Sequence, residues 1–141
     1  MRGTTREEIF PLPEKGIDTA PFWEACNRHE LVVQQCADCG ALRHPPTPVC
    51  PDCRSYEVDW ADVPGTGEIY TYTTTHYAAS PAHEDHTPYN VSIVLLDGTE
   101  DIRLITQVVD IDPESVEIGM PVEVVWEDVN EDTTVPLFRP S

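Results

Sequence analysis

The sequence predicts a small, mainly β protein: one short N-terminal helix, a ribbon of two cysteine knuckles, and then a five-stranded barrel. Three observations predict it. Four of the five cysteines fall in two Cys-x2-Cys pairs, Cys36/Cys39 and Cys50/Cys53. Five short runs rich in β-branched and aromatic residues follow the second pair. No helical periodicity extends beyond one short segment near the start.

At 141 residues the chain accommodates one domain, or two small ones sharing an interface. Residues 1–18 are polar, carry Pro11, Pro13 and Gly16, and read as an extended arm. A helix is expected from Thr19 to His29, with Asp18 or Thr19 as its cap and Pro21 in its first turn. Phe22, Trp23 and Cys26 fall on one face of it. Leu31, Val32 and Val33 begin a strand that leads into the first cysteine pair. Between the pairs, Pro45, Pro46 and Pro48 exclude helix. This helix-and-ribbon unit is expected to span residues 19–62, and the barrel residues 63–141.

The barrel strands are expected at Glu68–Tyr77, residues 89–96, Ile102–Val109, Val122–Trp126 and Val135–Phe138. Pro64-Gly65-Thr66-Gly67 opens the first, and Asp97-Gly98 gives a hairpin signal after the second. Five short strands without a long helix fit an oligonucleotide/oligosaccharide-binding barrel, the OB-fold. Its longest expected loop, residues 78–88, carries His83 and His86.

The spacing Cys-x2-Cys-x10-Cys-x2-Cys has a physical reason. A tight turn within each pair brings two thiolates to one tetrahedral ion, at about 2.3 Å per bond. Gly40 supplies backbone freedom after the first pair, and Pro51 stiffens the second. Two such knuckles facing each other make a zinc ribbon. Iron fits the same cage. Four sulfur ligands leave no open coordination position, so the ion folds the chain and does no chemistry. Cys26 is unpaired and reads as a small core residue of the helix.

Charge excludes partners. Lys15 is the only lysine, Arg adds seven, and Asp plus Glu total 26, for a formal net charge of −18. Coating phosphates needs clustered cations, so neither nucleic acid nor an anionic membrane surface is an expected partner. The acid itself keeps a chain soluble, and it also suits a salt-adapted proteome. No apolar run is long enough to span a membrane, and the first residues lack a secretion signal. A cytoplasmic location is expected, where paired cysteines are more often metal ligands than disulfides.

Other candidate chemistry is thin. His83-Glu84-Asp85-His86 reads as a solvated loop, with a second metal site or acid/base pair as the rival reading. His76 and Tyr77 could face a ligand channel, pack, or lie exposed. No GxSxG elbow, HExxH pair or phosphate-cradling glycine loop is present. No catalytic residue is assigned, which points to a binding or scaffold role.

Several stretches resemble one family. Phe22-Trp23-Glu24, His29-Glu30-Leu31, Gln35-Cys36-Ala37-Asp38-Cys39-Gly40, Arg43-His44-Pro45-Pro46 and Cys50-Pro51-Asp52-Cys53 look like the opening of domain-of-unknown-function family thirty-five. Ile69-Tyr70-Thr71-Tyr72-Thr73, Pro88-Tyr89 and Ile118-Gly119-Met120-Pro121-Val122 continue the match, which covers roughly residues 19–141. The resemblance implies an N-terminal helix, a rubredoxin-like zinc ribbon and an acyl-CoA-associated OB-fold. It also implies a partner from the thiolase superfamily, with acyl-CoA as ligand of the complex.

The chain is most similar to the module that partners the lipid-transfer-protein-like aldolase of steroid side-chain degradation. That implies a non-catalytic subunit in a heterotetramer with a dimeric core. The aldolase would release propionyl-CoA from a β-hydroxyacyl-CoA, and this chain would shape its substrate entrance. In that pathway the module is usually fused behind a hydratase domain. Arg43 and Arg103 are the local candidates for contacts to CoA phosphates. The alternatives are a nucleic-acid-binding protein, or a subunit of an acetyl-CoA acetyltransferase or hydroxymethylglutaryl-CoA synthase complex.

Overall fold

The computed structural model describes residues 12–78 and 80–141, apart from the side chains of residues 82, 83 and 85. Residues 1–11 of the expected arm and the side chain of His83 therefore lie outside the described residues. No helix among them is long and apolar enough to cross a membrane.

The helix α1 runs over Ala20–Asn27 and buries Phe22, Ala25 and Cys26. Pro21 sits in its first turn, where the missing N–H leaves no helical bond unmade. Thr19 precedes the helix but does not cap it with its side chain. Its Oγ1 instead accepts a hydrogen bond from the Gly16 N–H, at 2.9 Å.

The helix stops two residues short of the expected His29. There the Glu30 N–H reaches the Ala25 carbonyl and the His29 N–H reaches the Cys26 carbonyl, both at 2.9 Å. This pattern places His29 in the left-handed region, at φ 59°. Glycine usually occupies that position. Here the imidazole stacks on Trp126, with ring centroids 5.6 Å apart, and lies 2.8 Å from an Asp128 carboxylate oxygen. Asp128 is held below its ordinary pKa, chiefly by the hydrogen bond from His29 and then by that from Thr134. The helix end is thus fastened to the barrel.

The ribbon is a three-stranded antiparallel sheet in the order β2-β1-β3, with β1 at Val32–Cys36, β2 at Leu42–Arg43 and β3 at Val58–Asp62. The strand β3 was not foreseen. Its sequence, Val-Asp-Trp-Ala-Asp, has three acidic or small residues in five and is mostly exposed, and it pairs with β1 along its whole length.

The second sheet has the order β6-β5-β4-β7-β8, with every neighbour antiparallel. Its strands are β4 at Thr66–Thr75, β5 at Tyr89–Leu96, β6 at Arg103–Thr106, β7 at Pro121–Asp128 and β8 at Thr134–Pro140. The long β4 pairs with β5 along most of its length and with β7 through Thr66, Gly67 and Glu68. A bulge between Ile69 and Thr71 bends it. Gly67 permits the close approach of β5, since a Cβ there would meet the Leu95 carbonyl oxygen at 2.4 Å. The expected 78–88 loop contains a 3-10 helix at Pro81–His86.

The sheet curls until its edges meet, as in an OB-fold. The third strand is shorter than expected because the chain after Thr106 leaves β5 and turns toward β8. There Val108 bridges Phe138 in parallel, the Val109 N–H donates to the Phe138 carbonyl at 2.7 Å, and the Phe138 N–H donates to the Gln107 carbonyl at 3.1 Å. Asn90 makes up the lost pairing. Its amide donates to the Val108 carbonyl at 2.7 Å, and its Oδ1 accepts from the Val108 N–H at 2.9 Å and the Ser92 hydroxyl at 2.7 Å. Phe22, Ala25 and Cys26 of the helix, Leu31, Val32 and Val33 of the ribbon, and Ile69, Val94, Val122 and Phe138 of the barrel share one hydrophobic core.

Replacing Asn90 with Ala removes every one of these bonds from a side chain only 2% exposed. Leaving the buried Val108 amide and carbonyl unpaired costs about 2–3 kcal/mol. Urea unfolding of Asn90→Ala against wild type measures it; a difference within ±0.5 kcal/mol, the usual range of a surface substitution, would refute this account of closure.

Candidate functional site

The two knuckles are built alike. Gly40 N–H donates to the Cys36 carbonyl at 2.9 Å, and Arg54 N–H donates to the Cys50 carbonyl at 2.8 Å. Cys36 N–H then reaches Ala41, and Cys50 N–H reaches Ser55, each at 2.9 Å. The residue after each pair takes a positive φ, 80° at Gly40 and 64° at Arg54. Glycine makes that conformation free of strain in the first knuckle only. The Ser55 hydroxyl donates to the Asp38 carboxylate and so joins one knuckle to the other.

The four sulfurs lie within 4.8 Å of one another. Cys36 and Cys53 are separated by 3.5 Å, and Cys39 and Cys50 by 3.6 Å. Bonds of about 2.3 Å in a tetrahedron require sulfurs about 3.8 Å apart, so one ion fits. Cys36 and Cys50 are buried, whereas Cys39 and Cys53 face solvent.

Electrostatics argues the same way. The Cys39 N–H, above all, brings Cys36 down to about 6, and the Cys53 N–H lowers Cys50. Cys53 is pushed up to about 12: the Ser55 N–H pulls it down, but the sulfurs of Cys36, Cys39 and Cys50, together with desolvation, outweigh that pull. Cys39 is raised as well, with the sulfurs of Cys36 and Cys50 opposing the Ala41 N–H. Four thiolates cannot share this space unless a cation is added. Cys26 is a different case: fully buried in the core, its thiol is pushed up to about 12 by desolvation.

A groove of about 530 Å³ opens where helix, ribbon and barrel meet. Trp23, Pro45, Pro46, Ile105 and Leu137 give it an apolar lining, and Arg103 is the one permanently charged residue on its wall among the described residues. His44 also lines it, packed on Phe22 with centroids 5.2 Å apart. Burial lowers the His44 pKa, which favours the neutral ring.

The structure separates the two candidate arginines. Arg103 is exposed, with its guanidinium 4.3 Å above the Tyr70 ring. Arg43 is only 8% exposed and donates to the Thr47 carbonyl at 3.1 Å. Gln34 accepts the Thr47 N–H at 2.7 Å, so the two side chains clamp one loop residue from both sides. Sequence reasoning saw the charge of Arg43 and had no signal for its burial. His76, Tyr77 and His86 are exposed, and none of the three lines the groove.

Fold and cage together define a zinc-ribbon protein with an appended OB-fold barrel. Family models match both halves: "ChsH2, rubredoxin-like zinc ribbon domain" over residues 23–59 and "ChsH2, C-terminal OB-fold domain" over residues 60–127. The chain belongs to this ChsH2-type DUF35 family.

Its solved relatives include a chain described as "Ltp2-ChsH2(DUF35) aldolase", with a TM-score of 0.81 and 42% identity over 91% of this chain and 98% of that one. A "Probable enoyl-CoA hydratase alpha subunit" of Thermomonospora curvata is 44% identical over 94% of this chain. A "3-oxo-4,17-pregnadiene-20-carboxyl-CoA hydratase alpha subunit" of Mycobacterium tuberculosis is 33% identical over 82% of this chain. The chain spans only 40% and 36% of the length of these two curated relatives.

The four clustered cysteines and the matching ribbon model support a structural zinc. Elemental analysis is expected to find one zinc per chain. Withdrawing it with a chelator at pH 7 is expected to lower Tm by more than about 10 °C, because the ribbon has little else to hold it. Cys36→Ser is expected to reproduce that loss without chelator. An unchanged Tm after complete metal removal would show that the ribbon stands on its own.

Proposed function

We propose that this chain is a non-catalytic accessory subunit of a thiolase-superfamily acyl-CoA enzyme, of the kind that partners a retro-aldolase of steroid side chains. The observation that carries the reading is the match, nearly end to end, to the chain of the Ltp2–ChsH2(DUF35) aldolase. The hydratase subunit of M. tuberculosis named for a pregnadiene carboxyl-CoA supports steroid acyl-CoA as the substrate class.

Chemistry within the chain agrees. Cys36, Cys39, Cys50 and Cys53 hold the zinc, and four thiolates fill its tetrahedral shell, so substrate finds no open position on it. The groove offers an apolar wall with Arg103 at its edge, suited to an acyl thioester at the entrance of the partner's active site. An arginine reads phosphate well, and Arg103 is the candidate with its guanidinium at the surface. The partner supplies the remaining cations and the groups that cleave the β-hydroxyacyl-CoA to release propionyl-CoA. Two copies of the chain flank a dimeric partner core. A net charge of −18 stands against the rival reading as a nucleic-acid-binding barrel.

Mixing the purified chain with the Ltp2 subunit of the solved aldolase tests this. The expected result is a stable complex on size-exclusion chromatography, with retro-aldol turnover in the mixture and none by the chain alone. Turnover of a β-hydroxyacyl-CoA by the isolated chain would overturn the assignment.

A further inference from the structure

The groove takes part of its wall from the N-terminal arm. Leu12 and Pro13 line it, and both are half-buried there. The next residues, Glu14, Lys15, Gly16 and Ile17, are exposed. A mostly polar stretch that belongs to neither sheet thus presents two apolar side chains to an apolar cavity.

The two sides of Gly16 are held differently. After it, the helix start is firm: the Gly16 N–H donates to Thr19 Oγ1 at 2.9 Å, and the Ala20 N–H donates to the Gly16 carbonyl at 2.8 Å. Before it, among the described residues, no backbone hydrogen bond joins residues 12–15 to the ribbon or the barrel. Pro13 has no N–H to give, and its fixed φ keeps the stretch extended and stiff. The attachment is instead Lys15, the only lysine of the chain, whose ammonium donates to the Asp132 carbonyl. That acceptor is held in place. The Val129 N–H donates to the Thr133 carbonyl at 2.9 Å and the Asp132 N–H to Asn130 Oδ1 at 2.8 Å, which closes the turn between β7 and β8. The Asn27 amide at the end of the helix donates to the same Asp132 carbonyl at 3.0 Å.

We propose that Leu12–Lys15 is a strap that closes the groove over its ligand, turning about Gly16 and latched by Lys15 on the β7–β8 turn. The inference rests on the groove being the ligand site of the function proposed above. Three properties make the segment a strap and not a fixed wall. Its hold on the body is one exposed side-chain hydrogen bond and two apolar contacts, a small barrier to local opening. Breaking that bond strands no buried charge, because Lys15 is exposed and water takes over its ammonium. Gly16 gives the backbone freedom to turn at the point where the helix anchorage ends. Open, the strap uncovers one side of the groove. Shut, Leu12 and Pro13 add apolar contact to the ligand and keep water from it.

The test follows anilinonaphthalene sulfonate, an apolar aromatic anion that fluoresces in apolar surroundings, binding to the full chain in stopped flow. Ile105→Glu changes an exposed residue of the groove lining and locates the probe; binding about tenfold weaker or more is expected. Lys15→Met keeps the apolar stem and removes the donor, and an unchanged Tm reports that it folds. Its association and dissociation rates are both expected to rise about fivefold or more, with Kd moving less than about threefold, because a gate that opens more often admits and releases alike. Rates within about twofold of wild type would show a fixed wall and overturn the strap, as would faster dissociation alone. Faster association with unchanged dissociation would show the strap competing with the ligand and overturn closure over it. A wild-type chain that ignores the probe, or binding that Ile105→Glu leaves untouched, would remove the groove as a ligand site and the strap with it. The accessory role is read separately, from complex formation with Ltp2.

Discussion

Everything in the first half of the molecule depends on four sulfurs being held within one coordination sphere. A three-stranded sheet whose edge strand, Leu42–Arg43, is two residues long does not hold itself together in water. The cage removes that problem by fixing both turns at once. The loop from His44 to Val49 then has a defined place, clamped at Thr47 by Gln34 and Arg43. Pro45 and Pro46 on that loop form one wall of the groove. A metal site without an open position therefore acts on the groove at a distance, by deciding where a proline loop lies.

The cage was legible in the sequence because its logic is local. A Cys-x2-Cys pair specifies its own turn, and two pairs of thiolates specify an ion. The barrel strands were legible as strands from their β-branched and aromatic runs, but their facing was not: alternation in Asn90-Val91-Ser92-Ile93 would bury Val91 and Ile93, whereas Asn90 and Ser92 are the buried pair. What escaped depends on residues far apart in the chain. His29 adopts a glycine-like backbone because Trp126 and Asp128, about a hundred residues later, hold its ring. The strand Val58–Asp62 lacks a burial alternation and becomes a strand only because β1 is there to pair with it.

Two polar residues show the limit most clearly. Asn90 is one more residue of the expected strand 89–96 in the sequence, yet its amide substitutes for backbone pairing where β6 has ended. Arg43 reads as a free cation between the cysteine pairs, yet it is spent on a loop carbonyl. Charge and polarity are visible in a sequence, but burial is a property of the assembled core. Arg103 differs from Arg43 only in where the fold leaves it.

Placement of charge connects this architecture to its role. A strongly acidic surface disfavours association of the chain with itself and with other anions. An OB-fold that reads nucleic acid concentrates cations and aromatic rings on its sheet face. This barrel keeps tyrosines there and replaces the cations with isoleucine, valine and threonine. The same scaffold face thereby keeps a single cation, Arg103, where phosphate recognition needs several. Arg103, resting on Tyr70 at the edge of the groove, is the one cation among the described residues where that face and the groove adjoin.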